Sequence, residues 1–428
     1  MNRLPNSAKV LCALATGLAG LLPLTAQDRI TLEQAWQAAQ TSHPLSQQRT
    51  VLQQTSTLAI ANLTTSRWLP QLSLNGQASW QSEVTRLPLE IPNVAIPTLS
   101  KDQYKLTLDA GYLLYDGNQL ALQRDLERAG TDVEQQRVAV ELYRLKDQVN
   151  ALFLNALLVD ENIRLVQTNL SNLQNQIQKL SASLRYGTAA RINVDELQAE
   201  YVKAEQRLAE LSASRRGLRD QLALLTSLPV TDSTQLHVAV ASAAPDAQPL
   251  ARPELALYQA RRSLVQAQTR LISQKWQPRL SLFAQPGVGR PGLNFLDNNF
   301  RSFFIGGLRL NWNLSTGYTL HRERQIQELK VQQVTNEQAS FEKNLSLQLR
   351  AQRAEIERLE AVIAKDAELV ALRGRIRASA EEQFENQAIA ARDYTTELNA
   401  ETQPQLHQKI HELQLALARL QYQTLTGH

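Results

Sequence analysis

The sequence predicts a mainly α-helical chain that also carries membrane β-structure. It reads as long antiparallel coiled-coil hairpins plus four strands per chain that contribute to a shared 12-stranded barrel. Three observations predict this: four segments of polar–apolar alternation, an internal duplication, and apolar stripes at coiled-coil spacing. The alternating segments come in two pairs, 71–82 with 103–115 and 278–285 with 303–314. In the first, Leu72, Leu74, Gly76, Ala78 and Trp80 share one face, and Ser73, Asn75, Gln77 and Ser79 share the other. A period of two with one greasy and one polar face suits a strand between lipid and water. Four strands cannot close a barrel, and an open sheet edge cannot persist in hydrocarbon, so copies of the chain must complete the wall. Two copies give eight strands, a number that side chains fill; three give twelve, which leaves room for water. The polar set Ser73, Asn75, Gln77, Ser79, Lys105, Thr107 and Asp109 suits the wet interior of the larger ring.

The elements follow in order. Residues 1–26 read as an export signal: Arg3 and Lys9 precede an apolar run at 10–24 that is too short to span a bilayer. Removing that segment takes two basic residues and no acids, which lowers the net charge from +4 to +2 and gives no case for nucleic acid. The only cysteine, Cys12, lies inside the signal, so the rest of the chain has no disulfide or thiolate chemistry. No run of about 20 apolar residues follows, and any membrane crossing falls to the strands.

The remainder divides into a first repeat at 27–228, a linker at 229–251 and a second repeat at 252–428. Trp68-Leu-Pro-Gln-Leu-Ser-Leu74 returns as Trp276-Gln-Pro-Arg-Leu-Ser-Leu282, His43-Pro44 as Arg252-Pro253, and Gly117 as Gly317. Each repeat reads as helix, strand, loop, strand and helical hairpin, the hairpins spanning 117–228 and 317–425. From Leu145 to Leu184 apolar residues alternate at spacings of three and four, the signature of a coiled-coil seam. A helix from Gly117 to Tyr186 is roughly 100 Å long at 1.5 Å per residue. The second hairpin has Asp366 and Arg373 where apolar seam residues would fit, and Pro404 within its return helix predicts a kink. Trp68, Tyr115, Trp276 and Trp312 flank the strands where an interfacial aromatic belt belongs.

An enzyme reading finds no motif, and no cofactor-binding motif or metal site is expected. His407 and His411 share a helical face, but without further ligands they read as solvated surface. A second class of reading stays open at this point: a periplasmic coiled-coil scaffold or adaptor whose strands form a soluble β-domain.

The order and spacing of these features resemble the TolC-like outer-membrane efflux family. The resemblance rests on the duplication, the Trp-x-Pro-x-Leu-Ser-Leu strand opening, the Tyr115-Asp-Gly117 exit and the turn Gly187-Thr-Ala-Ala-Arg191 before Leu197-Gln-Ala-Glu200. It implies a homotrimer in the Gram-negative outer membrane, surrounded by outer-membrane lipid, with a helical tunnel in the periplasm. It further implies a passive exit duct of a tripartite efflux or type I secretion system, joined by a periplasmic adaptor (membrane fusion) protein to an inner-membrane pump. Carried over by position, the adaptor-docking turns are Gly187, Thr188, Ala189, Ala190 and Arg191, with Ala388 and Arg392 in the second hairpin. Candidate tunnel-constriction residues are Asp195, Glu196 and Asp393. These acids also read as helix N-terminal carboxylates favoured by the dipole. The second turn lacks a glycine, and Asn386 is expected to supply a left-handed conformation there.

Overall fold

The computed structural model describes residues 29–85, 99–238, 249–295, 297–386 and 388–427. The signal segment 1–26 and part of the linker 229–251 lie outside the described residues. The chain opens with β1 (Arg29–Thr31), α1 (Leu32–Ser42) and α2 (Pro44–Trp68), and continues with β2 (Gln71–Trp80), β3 (Asp102–Tyr115), α3 (Gln119–Arg185) and α4 (Arg191–Thr226). After β4 (Gln235–His237) come α5 (Pro253–Gln274), β5 (Arg279–Arg290), β6 (Arg301–Asn311), a 3-10 turn at Leu314–Thr316, α6 (Gly317–Glu385) and α7 (Ala391–Thr426). The architecture is mainly α with one four-stranded antiparallel sheet. The fifth strand extends to Arg290, five residues beyond the expected end at 285.

Local chemistry explains the boundaries. Thr31 and Gln34 form a reciprocal capping box at the start of α1. Pro44 and Pro253 occupy the first turns of α2 and α5, where a missing N–H costs nothing. The repeat-related glycines Gly117 and Gly317 are required for different reasons. Gly117 has φ +66°, and a Cβ there would lie 2.6 Å from Cβ of Gln277. Gly317 is helical, but its missing side chain makes room for the Trp276 ring, which would come within 2.3 Å of a Cβ.

Four strands form one antiparallel sheet in the order β2-β3-β5-β6, so the two repeats join through β3 and β5. Strands β2 and β6 are its outer edges. All four strands meet helices at the same end, through Trp68, Gln119, Gln274 and Leu314, and the connections 80–102 and 290–301 lie at the other. The helices therefore all extend from one side of the sheet.

The hairpins α3–α4 and α6–α7 are joined by apolar clusters spaced along their length. Near the middle, Ile30, Leu32, Ala35 and Ala39 pack against Val149, Phe153, Ala156, Leu222 and Leu420. The tiny parallel pair β1–β4 closes this cluster, pinning residues 29–31 to residues 235–237 of the linker. That part of the linker is thus held to the body of the protein, a pairing that three-residue strands left invisible to pattern reading. At the repeat junction, Tyr143 donates from its hydroxyl to the Thr424 carbonyl at 2.7 Å, and Arg252 reaches the same carbonyl at 3.0 Å. Burial pushes the Tyr143 phenol up to about 12, so it stays a neutral donor.

The polar breaks in the second seam are partnered rather than vacant. Asp366 lies 2.6 Å from Nδ1 of His411, Arg373 lies 3.4 Å from Glu397, and Arg377 donates to Glu401 at 3.0 Å. This corrects the reading of His411 as solvated surface: its side chain is largely covered because α6 presents a carboxylate to it. Helix α7 continues through Pro404 without interruption.

Candidate functional site: the sheet and the hairpin tips

Strand register divides the sheet into two chemically distinct faces. Leu72 and Leu74 of β2 align with Ala110 and Leu108 of β3, while Leu282 and Ala284 of β5 align with Leu308 and Gly306 of β6. These residues, with Leu106 and Phe304, make a continuous apolar face whose large side chains project into open space; Leu74 is 70% exposed and Leu308 65%. The other face is crowded. Thr107 is only 4% exposed, and the Phe303 ring lies across Gly287 beside it, where a Cβ would meet the ring at 2.6 Å. Asp109 accepts from the side-chain amides of Asn75 and Gln285 on its two neighbouring strands. Side chains that touch across three strands on one face and splay on the other belong to a sheet curved toward the crowded side, as a barrel segment is.

The polar set named from the first strand pair lies on the crowded face, but that face is not polar throughout. The first pair adds Leu113 there, and the second pair places Phe283, Phe303 and Ile305 on it. Arg309 lies over the Phe283 ring at 4.6 Å and Lys105 over Phe303 at 5.7 Å. Cationic tips thus reach past the aromatic rings, which form a floor beneath them.

Aromatic residues mark both ends of the sheet. At the helix end, the Trp312 indole N–H donates to the Trp276 carbonyl at 2.9 Å and the two rings meet edge to face at 6.0 Å. Trp68 and Tyr115 are exposed at the same level without ring contact to that pair. At the loop end, Trp80 is exposed under the Lys101 ammonium, and Tyr104 packs against Phe300 at 6.0 Å. Trp80, Tyr104 and Phe300 thus sit at strand ends beside loops, a position the sequence pattern of alternation alone does not single out. The ten residues of β2 span about 33 Å, or about 25 Å of bilayer at a tilt near 40°, the height of an outer-membrane apolar band.

At the far end of the helices, the first turn is built on Gly187 at φ +74° with open space around it. The Thr188 N–H and hydroxyl both donate to the Ser183 carbonyl, at 3.0 and 2.9 Å. Ala189 and Ala190 lead to Arg191, the first residue of α4, whose guanidinium lies 3.8 Å from Asp195. The second turn is closed in the same way by the Ala388 N–H and the Gln383 carbonyl at 2.8 Å. Asn386 does not take the left-handed conformation expected of it. Its φ of −84° and ψ of 6° match those of Tyr186, at −87° and 2°, so it occupies the position before the one filled by Gly187. Gln387, the counterpart of Gly187, lies outside the described residues.

The two turns belong to one packed unit. Phe384 stacks on Tyr394 with centroids 5.1 Å apart and planes 7° from parallel, within a cluster that also holds Leu173, Leu197, Ala391 and Leu398. Burial pushes the Tyr394 hydroxyl up to about 12. Gln176 donates to Glu381 at 2.8 Å and Lys179 to Glu385 at 2.6 Å, tying α3 to α6. Their mutual hydrogen bond and charge hold the Lys179 ammonium above and the Glu385 carboxyl below their usual ranges. Sequence reading missed this tie, though Gln176, Lys179, Glu381 and Glu385 fall at helical spacings near the turns. Asp393 and Arg392 occupy the first turn of α7, and Asp393 borders a cleft of about 420 Å³ with Ile376, Gln383 and Glu397. Asp195, Glu196 and Asp393 are not linked to one another by any hydrogen bond or ion pair among the described residues.

No family model matches the sequence, and no curated protein matches it either. Solved structures do match in shape along nearly the whole chain. The outer membrane protein VceC from Vibrio cholerae superposes with a TM-score of 0.66 at 14% identity, covering 92% of this chain and 96% of that one. The open state of the Neisseria gonorrhoeae MtrE outer membrane channel gives 0.63 at 15% identity, over 92% and 89%. CusC, described for its transmembrane channel formation, gives 0.66 at 16% identity, over 92% of each chain. Sequence divergence of this size with agreement over nine-tenths of the length makes the likeness one of fold. The chain has the fold of the TolC-like outer-membrane channels.

Proposed function

We propose that three copies of this chain form a channel through the Gram-negative outer membrane, continued by a helical tunnel in the periplasm. The single observation that carries the reading is the unclosed sheet: four strands, one apolar face open to its surroundings, and two unpaired edges, β2 and β6. Strand β2 runs away from the helices and β6 toward them, so β6 of one copy can pair antiparallel with β2 of the next. Three copies supply twelve strands, enough for an aqueous bore, whereas two supply eight and a filled one.

In this reading the channel is a passive exit duct for a tripartite efflux or type I secretion system. Energy comes from an inner-membrane pump, and a periplasmic adaptor meets the turns at Gly187–Arg191 and around Ala388 and Arg392. The exposed, backbone-closed geometry of the first turn supports it as a docking point. Asp195, Glu196 and Asp393, at the first turns of α4 and α7, are the candidates for a constriction between copies.

Two experiments test the parts separately. The channel should fractionate with outer membranes, resist extraction by high salt and conduct ions in planar bilayers; a salt-soluble protein without conductance would refute it. Replacing Gly187 and Thr188 with bulky residues should leave trimers in the membrane but abolish export, and unchanged export would remove that turn from the contact site.

A further inference from the structure

The crowded face of the sheet carries four basic residues, Lys105, Arg279, Arg301 and Arg309, and one acid, Asp109; with Arg301 neutralised by Asp297 the remaining balance is +2 per chain. Among the described residues, no carboxylate lies within ion-pair distance of Lys105, Arg279 or Arg309; Arg301 alone is paired, with Asp297 at 2.7 Å. The single acid is surrounded by amide donors from Asn75 and Gln285, which damp its field without cancelling a positive neighbour. The charges also sit at two levels. Lys105 shares a register row with Gly289 and Arg301 near the loops, whereas Arg309 aligns with Ser281 near the helices, eight residues or about 26 Å along the strand. Lys105 and Arg309 both ride on aromatic floors, which hold a low-dielectric surface under each cation and turn the charge toward the open side.

Resting on the channel reading above, we infer that the barrel section of the bore favours anions, with Lys105 and Arg309 setting that preference at its two ends, against the opposite pull of the acidic constriction proposed at the helix tips. A ring of like charge facing a narrow aqueous path raises the local concentration of counter-ions and repels co-ions. In a trimer each residue recurs three times around the bore, and any cargo must pass both levels. The solute class this wall suits is therefore anionic.

The test is the chloride-to-potassium permeability ratio of purified channels in planar bilayers, read from the reversal potential under a KCl gradient at low ionic strength, where screening is weak. Lys105→Gln and Arg309→Gln should each lower the ratio, by roughly twofold or more, and Asp109→Asn should raise it. Because the two cations lie at opposite ends of the bore, failure of one variant to insert leaves the other to decide. A ratio that stays the same or rises in the glutamine variants overturns the inference. Absence of conductance in the unaltered protein instead overturns the channel reading itself.

Discussion

Lys179 donates to Glu385 at 2.6 Å, and that contact joins the last turns of α3 and α6, one hairpin to the other. Both side chains are about half exposed, so the pair adds little to stability and acts mainly in fixing how the tips sit together. The sign of its pH dependence follows from the two shifts. Glu385 is held below its ordinary value of 4.5, so its contribution is present above that value and lost as pH falls through the lowered one. Lys179 is held above 10.5, so its contribution is lost only as pH rises past that. The distance between spin labels at Ser183 and Glu382 should stay constant between those limits and broaden in stronger acid. Broadening near neutral pH would show that something else sets the contact.

Phe384→Ala removes one ring of the tip stack and leaves a cavity among Leu173, Leu197 and Leu398, at a cost of about 3 kcal/mol to local stability. Hydrogen exchange should rise steeply in the last three turns of α3 and α6 while the central cluster around Phe153 stays protected. Uniform deprotection would mean that the tips unfold with the body.

Gly117→Ala combines a positive φ with a clash against Gln277, a cost of about 1–3 kcal/mol at the strand exit. Gly317→Ala meets the Trp276 ring instead. Both should lower the yield of assembled protein in outer membranes, and Trp276→Ala should partly restore Gly317→Ala while leaving Gly117→Ala unimproved.

Tyr143→Phe deletes a buried donor to the Thr424 carbonyl, which keeps its second donor from Arg252. The expected loss is therefore small, about 1 kcal/mol, seen as a slightly lower thermal midpoint. A loss several times larger would assign the hydroxyl a role beyond this bond.

The sequence was most legible where one period governs a long stretch. Heptad spacing placed α3 and α4 because Val149, Ala156, Ile163, Leu173, Leu197 and Leu222 all face a partner helix and end up buried. Alternation located β2 and β3 because their side chains divide between an open apolar face and a crowded polar one, whatever their burial. It fell short at β5, whose outer half carries Pro286 and two glycines, Gly287 and Gly289, that accommodate the Phe303 ring rather than the strand's own side chains. The polar seam residues were noticed but not matched, since pairing Asp366 with His411 or Arg377 with Glu401 requires the offset between antiparallel helices. That offset is set by the turn at 386–390, and one-dimensional spacing does not contain it. The strap β1–β4 and the Lys179–Glu385 tie join residues more than 200 positions apart, with no local pattern to announce them.

The most direct measurement concerns the two sheet edges. Within one chain β2 and β6 are separated by two intervening strands, roughly 14 Å at the usual spacing and beyond disulfide reach. Single cysteines at Ser73, Asn75 or Gln77 of β2, each combined with one at Ile305, Gly307 or Arg309 of β6, should give a cross-linked ladder in outer membranes that ends at three chains for at least one register. Monomer bands alone across the whole panel, or a ladder that stops at two, would contradict the shared twelve-stranded wall.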